Sequence, residues 1–453
     1  MSGREGFGWR FTSPLLLGSS LNPINTSTIA TGLVGIGADF HKGPATTASL
    51  ISVLYLCSAV AQPTMGKLAT VFGARRVFAA GLVVLVAAGV IGATAPVFGV
   101  LLLSRALIGI GTSAAYPTAM ALIRARADRL RTGVPSRVLG SLSIAGQVTA
   151  VVGLPLGGLL TGTFGWRAIF FVNVPLAVIA LVCTFLGVDR DEPRLRQGSL
   201  LTTLDVPGIV LFAGTIVAVL VFLSGLRSPA WWLPPVAVVL GLALVAWERR
   251  APQPLIDVRM LGRNGPLART YLRSAIVWLG NYTALYGTSQ WMEQAAHHTA
   301  SQVGLIMLPL SGASIVVARV VSLRGWVRWP LLLAGVAMLL TGALMFTITH
   351  TSPVVLLIGM TVLFGLANGF GGFANQAALY VQAPAADVAV AAGLFRTFAY
   401  FGAIFSSSLI GLAFGTAATD AGLHEVAAVT VGIGVVVLLM TALDKGIPAR
   451  ARG

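Results

Sequence analysis

Long apolar runs fill almost the whole of this 453-residue chain, and short stretches rich in Gly, Pro and basic residues separate them. Each run is close to the ~20 residues that an α-helix needs to cross the hydrocarbon core of a bilayer. The pattern therefore predicts an all-α membrane protein, a bundle of fourteen transmembrane helices. The predicted spans are 14–38, 47–68, 75–95, 98–122, 137–161, 168–188, 204–225, 230–247, 268–291, 302–321, 328–349, 353–377, 391–415 and 424–443.

The composition supports a membrane protein and excludes several other classes. A mean hydropathy of +0.88 with only 10% charged residues is outside the range of soluble domains. The net charge of +16 could indicate a nucleic-acid partner, but the basic residues lie in short loops between apolar runs. No P-loop sequence and no nucleophile–base arrangement is present, so we expect neither an ATPase nor another enzyme, and neither a cofactor nor a metal ion.

Basic residues are divided very unevenly between the two sets of predicted loops. One set contains most of the Lys and Arg residues, including those of the segment Gly66–Arg76, whereas the other contains only Lys42, Arg167 and Arg227. The positive-inside rule places the richer set in the cytoplasm together with both chain termini. Two termini on the same side require an even number of helices, and the predicted fourteen agrees with this. We therefore expect a multi-pass protein of the cytoplasmic membrane, in contact with membrane lipids and monomeric.

The two longest predicted cytoplasmic loops bracket the seventh and eighth helices. This spacing predicts an N-terminal six-helix lobe (1–188), an inserted helix pair with cytoplasmic linkers (189–267) and a C-terminal six-helix lobe (268–453). Two six-helix lobes around a cavity at the bilayer midplane are the usual plan of alternating-access carriers.

The segment Gly66–Arg76, GKLATVFGARR, resembles the signature loop between helices two and three of the major facilitator superfamily, G-x-L-A-D-x-x-G-R-R. The matching residues are Gly66, Leu68, Ala69, Gly73, Arg75 and Arg76. Thr70 stands where the family has an acid that pairs with neighbouring charges and helix ends. The resemblance implies that this segment, and Gly66, Gly73, Arg75 and Arg76 in particular, latches the cytoplasmic gate.

Other motifs resemble one branch of this superfamily, the fourteen-helix drug:proton antiporters. LLLSRALIGIGTSAA (101–115) resembles its fourth-helix motif, and GSLSIAGQVTAVVGLPLGG (140–158) resembles the antiporter motif of helix five, with Thr149 at a glycine position and the proline one place late. Three further segments resemble the same branch, namely FGWRAIFFVNVP (164–175), WERRAPQPLIDVRML (247–261) and AAGLFRTFAYFGA (391–403). The resemblance implies a gating contact that is formed by Gly153, Pro155, Gly157 and Gly158.

Polar and aromatic side chains inside the predicted helices are candidates for lining a substrate cavity. The alternative for each is packing between helices, where small polar groups also serve. Arg105 either faces the transport path or binds backbone carbonyls at a helix contact, whereas Arg273 and Arg319 lie nearer the cytoplasmic surface, where long side chains snorkel. The candidate substrate-binding residues are Asn22, Asn25, Thr26, Arg105, Gln147, Trp278, Asn281, Tyr282, Asn368, Arg396 and Tyr400.

None of the acidic residues falls near the middle of a predicted span. Asn25 aligns with an acid that is common in the resembling branch, and an amide can bind a substrate but cannot take up a proton. A cation-selective pocket normally needs a buried carboxylate, so neutral, amphipathic or anionic substrates are favoured. We expect a proton-entry site at the outer ends of helices one and nine, although histidine is also common at interfaces. It would comprise Glu293, His297, His298 and Asp39.

These observations predict a secondary active transporter that exports a lipophilic, neutral or anionic small molecule in exchange for protons. One alternative is a uniporter or importer of an organic solute without proton coupling, which the missing midplane acid favours. A second alternative is a membrane sensor or lipid-handling protein that does not transport.

Overall fold

The structure, a computed structural model, describes residues 7–132, 136–191, 205–224, 229–252, 254–255, 258–383, 388–447 and 449–450. These residues form an all-helical bundle, as the sequence predicts. The first ten helices are α1 (Trp9–Thr28), α2 (Leu33–Phe40), α3 (Pro44–Thr47), α4 (Ser49–Phe72), α5 (Ala74–Ala93), α6 (Phe98–Ser113), α7 (Ala115–Arg129), α8 (Ser136–Phe164), α9 (Arg167–Phe171) and α10 (Asn173–Gly187). The remaining helices are α11 (Val206–Ser224), α12 (Leu233–Glu248), α13 (Val258–Arg263), α14 (Gly265–Gln294), α15 (Ala300–Ile306), α16 (Leu308–Arg324), α17 (Arg328–Met345), α18 (Val354–Gln382), α19 (Val388–Phe414) and α20 (Asp420–Leu443).

Within the described ranges, nine helical stretches are long and apolar enough to cross a membrane. They are Pro44–Ala69, Ala74–Ala93, Phe98–Arg129, Arg167–Gly187, Ala300–Val321, Arg328–Met345, Val354–Leu379, Leu394–Phe414 and Asp420–Leu443. Shorter apolar helices occupy Val152–Phe164, Val206–Phe222 and Leu233–Glu248. The total of fourteen membrane crossings stays a prediction.

The helices pack mainly within two groups, one in each half of the chain. α1 packs against α8 and α10, and α4 packs against α6, whereas α14 packs against α19 and α17 packs against α20. We refer to α1–α10 as the N-terminal helices and to α14–α20 as the C-terminal helices. These two groups meet where α4 contacts α19 and where α8 contacts α15 and α16. Helix α11 packs against α12 and also contacts α4 and α19.

The signature segment is almost entirely helical. Gly66 lies inside α4 and Arg75 inside α5, so the expected turn is reduced to Gly73, whose φ of 96° favours glycine. A Cβ atom on Gly66 would make only an ordinary contact, 3.7 Å from Pro117, so this position does not require glycine. The side chain of Thr70 lies outside the described residues. We call the end of the bundle that contains Gly73 the basic end, and the other end the distal end.

A carboxylate reaches the start of α5 from another part of the chain. Asp191, which follows α10, accepts hydrogen bonds from the backbone N–H groups of Arg75 (3.0 Å) and Arg76 (2.9 Å). These are two of the N–H groups that the first turn of a helix leaves without intrahelical partners, and a negative charge there is also favoured by the helix dipole. Arg75 in turn donates to the carbonyl of Phe185 at 3.0 Å. Asp191 therefore brings a carboxylate to the signature segment, in which Thr70 stands at the position of the family's acid.

Candidate functional site

A cavity of about 350 Å³ lies between the N-terminal and C-terminal helices. Its lining extends from the middle of the bundle towards the basic end. The N-terminal helices contribute Ser19, Asn22, Pro23, Thr26, Ser27, Tyr55, Gln62, Thr112, Ser113, Tyr116, Leu142, Gly146 and Leu154. The C-terminal helices contribute Trp278, Asn281, Tyr282, Leu285, Leu310, Ser311, Ser314, Ile315, Ala318, Phe364, Asn368, Gly372, Phe373, Gln376, Leu379, Phe395, Arg396, Ala399 and Tyr400.

Four aromatic residues form one wall of this cavity, and we call them the aromatic cluster: Trp278, Tyr282, Tyr55 and Tyr400. The spacing of four residues on α14 places Trp278 and Tyr282 on one helix face, and their rings stack with centroids 5.3 Å apart. Tyr55 of α4 contacts Tyr282 (5.1 Å) and Tyr400 of α19 (5.5 Å). The cluster thus joins two C-terminal helices to one N-terminal helix and offers a broad aromatic surface to a bulky ligand.

Amide and hydroxyl groups complete the polar part of the lining. Asn281 donates to the side-chain oxygen of Asn368 at 3.0 Å, and Asn22 donates to the hydroxyl of Thr112 at 2.9 Å. The Oε1 atom of Gln62 is buried without a hydrogen-bond partner among the described residues. A buried acceptor of this kind is costly unless a ligand or a water molecule donates a hydrogen bond to it. The side chain of Gln147 lies outside the described residues.

Pro23 lies inside α1, within the polar part of this helix, and has no backbone N–H to donate. The hydroxyls of Thr26 and Ser27 donate back to the carbonyl of Pro23, at 2.8 and 3.0 Å. The carbonyl of Thr26 accepts a hydrogen bond from the hydroxyl of Tyr286 on α14, at 2.7 Å. This part of α1 therefore both lines the cavity and holds the two groups of helices together.

Arg396 is the one charged residue among the described residues of the lining. The centre of its guanidinium lies 3.7 Å from the ring centroid of Tyr116, a cation–π contact between α19 and α7. The described lining contains no carboxylate, lysine or histidine. The cavity thus combines a single positive charge with aromatic and amide groups.

Two predicted substrate-binding residues lie outside this lining. Asn25 is buried and forms a reciprocal pair with Asn173 of α10, with nitrogen–oxygen distances of 2.5 and 3.0 Å. Arg105 is fully buried and donates to the carbonyls of Leu50 (3.1 Å) and Asn25 (3.3 Å). Both side chains therefore hold helices together in this structure, which is the alternative that the sequence left open for Arg105.

The predicted proton-site residues lie towards the distal end, outside the cavity. Asp39 is bound to Arg167 (2.8 Å) and to the indole N–H of Trp166 (2.9 Å). The Oε1 atom of Glu293 is buried without a hydrogen-bond partner among the described residues. His297 has a left-handed φ of 55°, and the backbone N–H of His298 donates to Met292. Neither imidazole contacts Glu293 within the described part of the chain.

Contacts between the two groups of helices close the distal end of the cavity. A Cβ atom on Gly158 of α8 would lie only 2.6 Å from the carbonyl oxygen of Ala300 and 3.1 Å from the Cα atom of Gly304. The hydroxyl of Ser301 donates to the carbonyl of Gly158 at 3.0 Å, and the hydroxyl of Ser289 donates to the carbonyl of Ala30 at 2.9 Å. Glycine permits this close approach of α8 and α15 because it has no side chain.

The other residues of the predicted gating contact have different neighbours. Cβ atoms on Gly153 and Gly157 would collide with Ser27 and Thr28 of α1, so these glycines pack within the N-terminal helices. Pro155 lies inside α8, and its Cα atom is beside Gly304. The helix-five motif therefore serves two interfaces, one with α1 and one with α15.

Two ionic contacts at the basic end each join parts of one half of the chain. Asp189 binds Arg126 of α7 at 2.8 Å, and Asp444 binds Arg269 of α14 at 2.8 Å. Arg273 does not snorkel as expected: it is fully buried and donates to Asn375 at 2.8 Å, with Asp444 at 3.6 Å. Burial opposes the ionisation of Asp444, but its hydrogen bonds with Arg269 and the Gly446 N–H hold its pKa below the ordinary value.

Sequence reasoning did not single out Tyr55, Tyr116, Asn173 or Asp191. Tyr55 and Tyr116 were detectable in principle, because each is an isolated tyrosine within an apolar span. Asn173 and Asp191 gave no such signal, since their roles depend on partners more than a hundred residues away.

Comparison with known proteins is consistent with this architecture. A family model described as "Major Facilitator Superfamily" matches residues 15–407. The uncharacterized MFS-type transporter YwoD of Bacillus subtilis (strain 168) is 33% identical over 437 residues, 95% of each chain. The multidrug resistance protein Stp of Mycobacterium tuberculosis (strain CDC 1551 / Oshkosh) is 28% identical over 336 residues, 72% of this chain and 60% of Stp.

The fold also resembles that of solved transporters. The crystal structure of the nucleoside transporter NupG superposes with a TM-score of 0.61 and 14% identity, over 96% of this chain and 99% of NupG. The extent of the family match and the full-length relative together establish the family. The chain belongs to the major facilitator superfamily and is a multi-pass membrane transporter.

Proposed function

We propose that this protein exports a lipophilic, neutral or anionic small molecule across the cytoplasmic membrane by alternating access, driven by the proton gradient. The observation that carries the proposal is the central cavity, which is bordered by both groups of helices and closed at the distal end. Its volume of about 350 Å³ is within the range of small-molecule sites. Its aromatic cluster and amides suit a bulky, partly apolar ligand.

The proposal places the basic end in the cytoplasm, because loops rich in Lys and Arg remain on that side. With this orientation, the structure is closed towards the outside, and the cavity extends towards the cytoplasm, from which an exporter takes its substrate. We propose that the N-terminal helices (α1–α10) and C-terminal helices (α14–α20) form two lobes that rock around the cavity. Outward opening must then separate Gly158 from α15 and break the hydrogen bond from Ser289 to Ala30.

For the proton site we propose Glu293. Gln290, one helical turn earlier, is fully buried, and both of its amide atoms lack partners among the described residues, as does the buried Oε1 of Glu293. Buried polar groups in this state require water or a proton to be satisfied, which supports a protonation site here. Asp39 already has Arg167 as a partner, so it supports the site less well. Protonation would bias the lobes by binding one state better than the other.

The test uses purified protein in liposomes with two fluorescent probes of the same size, 2-naphthalenesulfonate (an anion) and 2-naphthalenesulfonamide (neutral at pH 7). We expect an imposed pH gradient to drive at least one probe against its concentration gradient. Glu293→Gln should abolish the response to the gradient, whereas Glu425→Gln, at an exposed position of α20, should retain it. Transport that ignores the gradient in the unaltered protein would exclude an antiporter.

A uniporter or importer is the second candidate, and one observation favours it. The described cavity lining contains no carboxylate that could exchange a proton with the substrate. Downhill movement of the probes that is faster than in protein-free liposomes and does not respond to the gradient would identify this function. A protein that does not transport would move neither probe faster than protein-free liposomes do, and cysteines placed on α1 would not change their accessibility when a probe is added.

A further inference from the structure

We infer that the cavity selects an aromatic anion, whose acidic group binds Arg396 while its ring packs on the aromatic cluster. This inference rests on the proposed function, because it assigns a substrate class to the same cavity. It goes beyond the choice between neutral and anionic compounds, since it names the group that binds the charge and the surface that binds the ring.

The Arg396 side chain is able to bind an acidic group of a ligand. A guanidinium carries five N–H donors, and over an aromatic ring it can still present a planar edge to a carboxylate, sulfonate or phosphate. Arg396 lies over Tyr116, and within the described part of the chain it donates no hydrogen bond to a protein acceptor. Its donors are therefore available to a ligand with two adjacent acceptor oxygens, the arrangement that arginine binds best.

Arg105 provides the contrast within the same bundle. Its guanidinium already donates to the carbonyls of Leu50 and Asn25, and it lies outside the lining. Arg396 thus carries the only charge of the described lining, with no carboxylate there to neutralise it. A positive charge in a partly desolvated cavity favours an anion and disfavours a cation, because an uncompensated charge is costly in a low dielectric.

The aromatic cluster begins one helical turn from Arg396. Tyr400 follows Arg396 by four residues on α19, which is a rise of ~6 Å along the helix. From Tyr400 the cluster continues through Tyr55 to Tyr282, with ring centroids 5.5 and 5.1 Å apart. A ligand whose acidic group is bound to Arg396 therefore has its ring system beside the aromatic cluster. The ligand thus contacts α19 of one group of helices and α4 and α7 of the other.

The test measures binding at equilibrium in detergent, without any gradient, with 2-naphthalenesulfonate and its neutral isostere 2-naphthalenesulfonamide. We expect the sulfonate to bind at least about tenfold more tightly than the sulfonamide, because a charge-assisted hydrogen bond contributes more than a neutral one. Arg396→Gln should remove this preference but keep sulfonamide binding, which also shows that the variant is folded. Arg319→Gln, an exposed arginine on α16, is the matched control and should keep the preference.

Arg396→Lys is a second variant, which keeps the charge but loses the planar fork. It should retain only part of the preference, so it tests the inference even if the glutamine variant does not fold. Equal affinities for the two probes in the unaltered protein, no binding of either probe, or a preference that is undiminished in either Arg396 variant would overturn the inference. Binding that follows these expectations without proton-driven transport would instead refute the proposed antiport and leave the anion site standing.

Discussion

The contact between Gly158 and α15 allows a quantitative prediction for Gly158→Ala. The added Cβ atom would lie 2.6 Å from the carbonyl oxygen of Ala300, about 0.7 Å closer than the shortest ordinary carbon–oxygen contacts of ~3.3 Å. It would also lie 3.1 Å from the Cα atom of Gly304. Both obstacles are backbone atoms, so no side chain can rotate away, and α8 and α15 must separate.

Forcing an extra carbon atom into a packed contact costs roughly 1–3 kcal/mol. In the proposed alternating access, opening of the distal end separates α8 from α15, so the cost falls only on the closed state. A free-energy change of this size shifts the ratio of open to closed molecules by about fivefold to a hundredfold, because 1.4 kcal/mol corresponds to a factor of ten. The higher helix propensity of alanine acts in both states and cancels.

The assay is the rate at which a membrane-impermeant maleimide labels Ser27→Cys, which lines the cavity, from the distal side. Cys57 and Cys183 are first replaced by alanine. We expect Gly158→Ala to increase the labelling rate by at least fivefold. Gly432→Ala is the matched control, since a Cβ atom there meets nothing within 4 Å, and it should leave the rate unchanged. Equal rates for the two variants would refute the assigned role of Gly158.

The remaining predictions concern two carboxylates at the basic end, Asp191 and Asp444. Asp191→Asn should lower the free energy of unfolding by about 1 kcal/mol through the weakened cap of α5, whereas Asp128→Asn, an exposed control, should have almost no effect in thermal unfolding. Asp444→Asn should cost about 3–5 kcal/mol, because it leaves the fully buried Arg273 without its carboxylate, and chemical denaturation would measure this loss. Since the pKa of Asp444 is lowered by folding, its contribution is present above the ordinary carboxyl pKa and should be lost as the pH falls below it, a dependence that Asp444→Asn should remove.

The sequence is most informative where a property depends on one helix alone. Apolar length predicts the helices, and the spacing of four residues places Trp278 and Tyr282 on one face before any packing is known. Asn368 and Arg396, two of the predicted substrate-binding residues, line the cavity, as polar residues inside an apolar span must face other protein groups or water.

Properties that depend on the rotation of one helix against another could not be derived. Asn25 and Thr26 are neighbours on α1, yet Thr26 lines the cavity and Asn25 turns to Asn173. The rotation of α1 that turns Asn25 towards α10 and Thr26 towards the cavity depends on the neighbouring helices, and no local pattern in α1 records it. The same limit explains why Gly157 and Gly158, adjacent in one motif, pack against different helices.

The cap of α5 by Asp191 has a consequence for dividing this chain into separately produced parts. A boundary after residue 188, where the apolar pattern of the N-terminal helices ends, would discard Asp189 and Asp191, the partners of Arg126 and of the α5 N-terminus. When the chain is divided into two fragments for complementation or segmental isotope labelling, the boundary should therefore lie beyond residue 191. The signature segment and Asp191 form one structural unit that is discontinuous in sequence, and an alignment restricted to the segment will misjudge how much of this unit a relative retains.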